Sequence, residues 1–226
     1  MMPVPIAEGA VETLSPQVKE VAGKLKYFIV ENLRTARRTL KLMHPQLVID
    51  DLHFSEIDKH SGLDTKTLKE WLKAGYEIGV LSEAGCPGIA DPGAEIAGIA
   101  QQMGAKIIPL TGPNSIILAL MASGLNGQSF AFHGYLPVKE PGRSQRIKQL
   151  EAISARERQT QIFIETPYRN GQLLTEVTKN CQPKTRLCIA LDITGSSEKI
   201  ITQTIGDWKQ KPVELGKHPA VFLILA

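Results

Sequence analysis

Two glycine- and proline-rich segments hold most of the residues able to do chemistry. The first, Ser82 to Gly93 (SEAGCPGIADPG), sets Gly85, Pro87, Gly88 and Pro92 among Ser82, Glu83, Cys86 and Asp91, with the small or apolar Ala84, Ile89 and Ala90 between them. Glycine lets a ligand approach the backbone, and proline holds a loop in shape so that less entropy is lost on binding. The second, Thr111-Gly112-Pro113-Asn114-Ser115, repeats the theme. Neither matches G-x-x-x-x-G-K-[ST] or G-x-G-x-x-G, which leaves a phosphate cradle or a dinucleotide fingerprint without support. A plainer reading stands beside the binding one: Asp91 caps a helix starting at Ala94, and Asn114 or Ser115 caps another starting at Ile116.

Further along, Phe163-Ile164-Glu165-Thr166-Pro167-Tyr168-Arg169 puts an acid, a hydroxyl, an aromatic ring and a guanidinium just past a strand. The bland alternative is a surface pair between Glu165 and Arg169, with Thr166 as a helix cap. Phe132-His133-Gly134-Tyr135 ends another strand, and its histidine reads equally well as a partly buried, hydrogen-bonded ring. For a reaction that removes a proton, the candidate bases are Glu83, Asp91, His133 and Glu165. Arg34, Arg37, Arg38 and Lys41 recur at helical spacing and gather positive charge on one face, where phosphates could lie; Lys139, Arg143, Arg146 and Lys148 form a second basic group. Each also reads as a solvated helix face, and neither carries the repeated aromatics of a single-strand stacking platform. No G-x-S-x-G elbow is present, and Cys86, Cys181 and Cys188 lack metal-ligand spacing.

These segments must be positioned by a regular scaffold, and the hydrophobic periodicity supplies one. Strands are expected over 26–31, 47–54, 76–82 and 105–110, with helices over 32–43, 64–74, 94–103 and 116–123, Asp64 as N-cap and Gly75 as the left-handed stop. Such alternation implies right-handed parallel crossovers and a doubly wound α/β domain over 1–124, whose ligands sit at the carboxyl ends of strands. A second domain, 125–226, has strands over 129–136, 160–165, 186–194, 199–206 and 219–225 and helices over 143–158 and 171–180. Its last strands lack intervening helices, so a mixed sheet is expected.

The 226 residues are 42% hydrophobic and 22% charged, which excludes a disordered chain. A net charge of +3 is too small to impose a partner by long-range attraction. No apolar stretch approaches the length of a membrane span, and Met1 to Gly9 has neither a basic n-region nor a sufficient apolar core, so a cytoplasmic protein is expected.

Taken in order, Ile78 to Gly93, Pro109 to Ser115, Ala122-Ser123-Gly124-Leu125, Phe130 to Pro137 (FAFHGYLP) and Phe163 to Arg169 resemble the tetrapyrrole methylase family of S-adenosylmethionine-dependent methyltransferases, and in it the branch that methylates a ribose 2′-hydroxyl of small-subunit ribosomal RNA. The resemblance spans roughly residues 26 to 195. It departs from the family pattern where T-P-I-G-N-L is represented by Val4-Pro5-Ile6-Ala7-Glu8-Gly9 and E-D-T-R by Glu31-Asn32-Leu33-Arg34. The resemblance implies a two-domain α/β fold, S-adenosylmethionine folded between the domains, a homodimer, and ribosomal RNA or the small ribosomal subunit as partner. Carried over as donor-binding residues are Ser82, Glu83, Ala84, Gly85, Cys86, Pro87, Ile89, Ala90, Asp91, Ser115, Phe132, Glu165, Thr166, Pro167 and Tyr168. The basic residues Arg34, Arg37, Arg38, Lys41, Arg143 and Arg146 are then expected to meet RNA, and no metal is required. Methylation of a tetrapyrrole precursor, or a non-catalytic RNA-binding module, are the competing expectations.

Overall fold

The computed structural model describes residues 1–57, 62–210 and 213–226 and divides the chain into two compact units, Met1–Asn114 and Ser115–Ala226. In the first, α1 (Pro16–Lys24) begins where the Ser15 side chain accepts from the Val18 amide and Pro16 takes the first helical position. It precedes the expected elements. β1 (Tyr27–Val30) leads to α2 (Leu33–Met43), capped by Asn32 through the Thr35 amide at 3.0 Å, which turns Ala36, Leu40 and Met43 inward. β2 (His53–Glu56) is followed by α3 (Thr65–Lys73), where Asp64 accepts from the Lys66 and Thr67 amides at 3.1 Å and Gly75 takes φ +77°. β3 (Ile78–Leu81) and α4 (Ala94–Gln102) complete the unit.

The sheet runs β2-β1-β3, all parallel, with Val30 level with Leu81 and with Glu56. The carboxyl ends therefore lie side by side, as the doubly wound pattern requires. The strand expected over 47–54 is displaced: Ile49–Asp51 is a single tight helical turn, and pairing starts at His53. The segment 105–110 is extended without forming a strand. It is held instead by the chain start, since the Met1 amino group donates to the Ile108 carbonyl and the Leu110 amide to the Met1 carbonyl, both at 3.0 Å. On its other side this start joins β3, with the Met2 amide on the Val80 carbonyl at 2.9 Å and Val4 paired with Gly85. Phe28, Val30, Leu40 and Leu81 anchor the core between sheet and helices.

The second unit starts with α5 (Ser115–Ser123), so the division falls before this helix, not after it at 124. The reason is packing: α5 lies on the second sheet, and the Thr202 hydroxyl donates to the Ser123 carbonyl at 2.7 Å. Then come β4 (Phe130–Tyr135), α6 (Gly142–Glu157), β5 (Thr160–Glu165), α7 (Asn170–Asn180), β6 (Arg186–Leu191), β7 (Lys199–Thr204), α8 (Ile205–Gln210) and β8 (Ala220–Leu225). The sheet order is β4-β5-β8-β6-β7; β4 and β5 are parallel and every other pair is antiparallel, as a mixed sheet. The all-apolar β8 (AVFLIL) is central and buried along its whole length, and its Phe222 stacks on Phe163 of β5 with ring centroids 5.9 Å apart. The strand expected over 199–206 stops at Thr204, whose hydroxyl oxygen accepts from the Asp207 amide at 3.1 Å and starts α8. Among the described residues, no helix is long and apolar enough to cross a membrane.

Candidate functional site

In the first unit the parallel register delivers the ends of β1 and β3 to one place. The Glu31 amide donates to the Leu81 carbonyl at 3.2 Å, and Glu31 Oε2 accepts the Glu83 amide at 3.0 Å, fastening the loop after β3 to the end of β1. Ser82 is buried, and its hydroxyl donates to the Ala84 carbonyl at 3.1 Å. Gly85 takes φ +70° and Gly88 φ +86°, and the Gly88 amide closes the loop onto the Pro92 carbonyl at 3.1 Å. Ala90, at φ +65°, holds a left-handed conformation that costs an alanine roughly 1–2 kcal/mol. At Gly93, φ +141°, a Cβ would lie 2.8 Å from the Gly88 nitrogen, so no other residue fits without moving the loop. Pro87 is buried, whereas Ala84, Ile89 and Ala90 face outward.

The second glycine-rich segment borders the first. Cys86 Sγ lies 3.4 Å from the Pro113 carbonyl, and a Cβ on Gly85 would sit 3.6 Å from the same oxygen. Burial pushes the Cys86 thiol up in pKa, partly offset by a hydrogen bond to Asn114. Gly112 is backed by Pro3, which leaves no room for a Cβ. The chain start thus supports both loops, a role that no motif in the sequence announces.

Asp91 does not cap α4; the capping position is Gly93, and no side-chain bond is made there. Instead its half-buried carboxyl is pushed up to about 6, first by burial and then by the negative charges of Glu31 and Glu83. Glu31 escaped the sequence reading because it looks like the polar end of a buried strand; its distant partner Glu83 is supplied by the register. Three carboxylates thus gather at the carboxyl end of the sheet, and Asp91 among them is suited to accepting a proton near neutral pH. Among the described residues no group of histidine, cysteine and acidic side chains could hold a metal ion.

In the second unit Glu165 ends β5 as a buried hub. Its Oε2 accepts from Arg143 at 3.2 Å; its Oε1 accepts from Arg169 at 2.7 Å and from the Thr166 amide at 2.8 Å. Burial works to raise its pKa, but the Arg169 hydrogen bond, the Thr166 amide and the charges of Arg169 and Arg143 outweigh it and hold the carboxyl below its usual range. Glu165 is therefore corrected from candidate base to structural carboxylate. Arg143 is corrected as well: it is 1% exposed, with Nε on the Pro137 carbonyl at 2.8 Å, and no phosphate can reach it.

His133 is engaged at both ring nitrogens. Arg146 has no acceptor atom, so at 3.1 Å it donates to Nδ1, and Nε2–H donates to Gln161 Oε1 at 2.6 Å. Burial, and more weakly the Arg146 charge, lower its pKa against the Gln161 bond. A base needs a free lone pair, and this imidazole has none. Arg146 likewise has its guanidinium directed at His133 and is only partly exposed. Phe132 is half-buried in β4 level with Ile162, and Ser115 is the first residue of α5. Thr166 Oγ1 is buried without a hydrogen-bond partner, and Pro167 opens a single helical turn that leaves Tyr168 in solvent.

On α2 all four basic residues are exposed. The Arg37 guanidinium lies 5.4 Å over the Phe54 ring, Arg38 pairs with Glu8, and Lys41 donates to the Pro45 carbonyl at 3.0 Å.

No protein-family model matches the chain. Curated relatives do. The chain is 29% identical to "Ribosomal RNA small subunit methyltransferase I" of Vibrio cholerae over 200 residues, 88% of this chain and 66% of the relative. With the protein of the same name from Bacillus subtilis it shares 34% over 172 residues, 76% of this chain and 56% of the relative. It thus spans somewhat less than two thirds of these relatives. Among solved structures, uroporphyrin-III C-methyl transferase from Thermus thermophilus, crystallised with S-adenosylhomocysteine, has a TM-score of 0.57 at 14% identity and covers 99% of this chain and 96% of that one.

Proposed function

We propose that the chain is a member of the tetrapyrrole methylase family, related to the ribosomal RNA small subunit methyltransferases I, and that it transfers a methyl group from S-adenosylmethionine to a ribose 2′-hydroxyl of small-subunit ribosomal RNA. The observation that supports this most is the Ser82–Gly93 loop. Its left-handed corners and buried Pro87 fix a backbone surface that the outward-facing Ala84 and Ala90 leave without bulk, and its carboxylates complement a cationic sulfonium. When bound, the donor supplies a methyl group already activated by positive sulfur, so no protein nucleophile is needed.

What the chain must do is hold donor and acceptor and take up one proton. Glu31, by accepting the Glu83 amide, keeps the loop on β1. Asp91, ionised above about pH 6 yet more basic than an ordinary carboxylate, takes the hydroxyl proton. Exposed Arg34, Arg37, Arg38 and Lys41 on α2 offer charge to RNA phosphates. The donor-binding roles of Ser115, Phe132, Thr166 and Pro167, a homodimer and a cytoplasmic location follow from the family resemblance, while the solvent-exposed Tyr168 is left to the acceptor.

The deciding experiment supplies methyl-labelled S-adenosylmethionine with small ribosomal subunits from cells lacking the enzyme, and separately with a porphyrinoid precursor. Label in a 2′-O-methyl nucleoside is the expected result. Label in the porphyrinoid alone would reassign the acceptor, and no heat on titrating S-adenosylhomocysteine would remove the donor.

A further inference from the structure

Two tyrosines at the carboxyl end of the β4–β5 pair have no packing role. Tyr168 is 84% exposed and Tyr135 59%, although a tyrosine that serves a core is buried. They are 33 residues apart in the chain, and the parallel register joins them: Tyr135 is level with Ile164, and Tyr168 follows in the turn just beyond. That turn is stiff. Pro167 restricts its backbone, the Arg169 amide closes it on the Thr166 carbonyl at 2.9 Å, and Glu165 grips it at both ends through the Thr166 amide and the Arg169 guanidinium. A ring held outward on so rigid a base loses little entropy when something covers it. The charge nearby is positive at its edge: Arg169 lies within electrostatic reach of Tyr135, and exposed Lys139 follows in the next stretch of chain.

We propose that Tyr135 and Tyr168 form a stacking shelf for unpaired bases of the RNA, next to cations suited to its phosphates. This rests on the RNA reading above and adds to it the part that grips the acceptor strand. Rings that stack on bases act through their π faces, so the phenol oxygen is dispensable.

The test compares Tyr168→Ala, Tyr168→Phe and Tyr135→Ala with the unaltered chain. KM and kcat are read on small-subunit RNA, RNA affinity by filter binding, and S-adenosylhomocysteine affinity by calorimetry. Tyr168→Ala and Tyr135→Ala each weaken RNA binding and raise its KM by about tenfold, with kcat and S-adenosylhomocysteine affinity within about twofold, while Tyr168→Phe restores KM. A loss of S-adenosylhomocysteine affinity as large as the change in KM overturns the shelf, since the ring then holds the donor. Unchanged KM and RNA affinity in both alanine variants overturn it too, and leave methyl transfer standing. An unaltered chain that binds RNA but methylates none sinks the transfer reading alone, because the shelf is still judged by RNA affinity.

Discussion

Exchange of Asp91 for asparagine keeps the side chain's shape and removes a carboxylate that burial and the charges of Glu31 and Glu83 hold at about 6, against 3.8 for the ordinary group. Between those values the folded chain binds a proton that the unfolded chain has released. Stability therefore falls as pH rises through that window, and the whole penalty is present above it. At 1.36 kcal/mol per pH unit the gap corresponds to roughly 3 kcal/mol; Asp91 is half exposed, and screening by water reduces this to about 1 kcal/mol. Asp91→Asn should thus stabilise the first unit by about 1 kcal/mol near neutral pH, about 4 °C in its melting temperature, and by almost nothing near pH 4. Turnover should fall by about a hundredfold or more, because asparagine accepts no proton. Calorimetric melting at the two pH values and methyl incorporation into RNA check both halves. A variant less stable than the parent at neutral pH, or one whose gain persists unchanged in acid, would refute the argument that like charges crowd this carboxyl; a variant with full turnover would remove Asp91 as the base.

Other perturbations separate the loops from the frame. Gly85→Val forces a branched side chain into φ +70° with its Cβ 3.6 Å from the Pro113 carbonyl, and should weaken S-adenosylhomocysteine binding by more than about tenfold while the chain stays folded, as read by calorimetry and melting. Arg143→Met leaves buried Glu165 with one cationic partner and should destabilise the second unit by about 3–5 kcal/mol, visible in thermal melting and proteolysis; a loss below about 1 kcal/mol would contradict a buried pair. Arg37→Glu with Arg38→Glu should spare S-adenosylhomocysteine binding and flatten the salt dependence of RNA binding, and an unchanged slope would take α2 out of the RNA contact.

The amino-acid pattern alone determined most of the scaffold, because the information is local. The apolar runs YFIV and AVFLIL read as buried strands, Asp64 and Gly75 as the ends of a helix, and the Ser82–Gly93 corner as a loop at a strand end, since each depends on residues a few positions apart. The ordered motifs pointed to the tetrapyrrole methylases for the same reason. Features that depend on distant partners were closed to such a reading. Arg143 lies in a basic stretch that reads as surface, and only the meeting of α6 with the end of β5 buries it against Glu165. His133 looks available until Arg146 and Gln161 occupy both of its nitrogens. Met1–Val4 is too short, and broken by Pro3, to announce a strand, yet it fills the place between β3 and the 108–110 segment because their free backbone groups need partners. The charge on Asp91 was likewise decided by register, which sets two other carboxylates beside it; residue types name the groups, but burial and neighbours set which of them can exchange a proton.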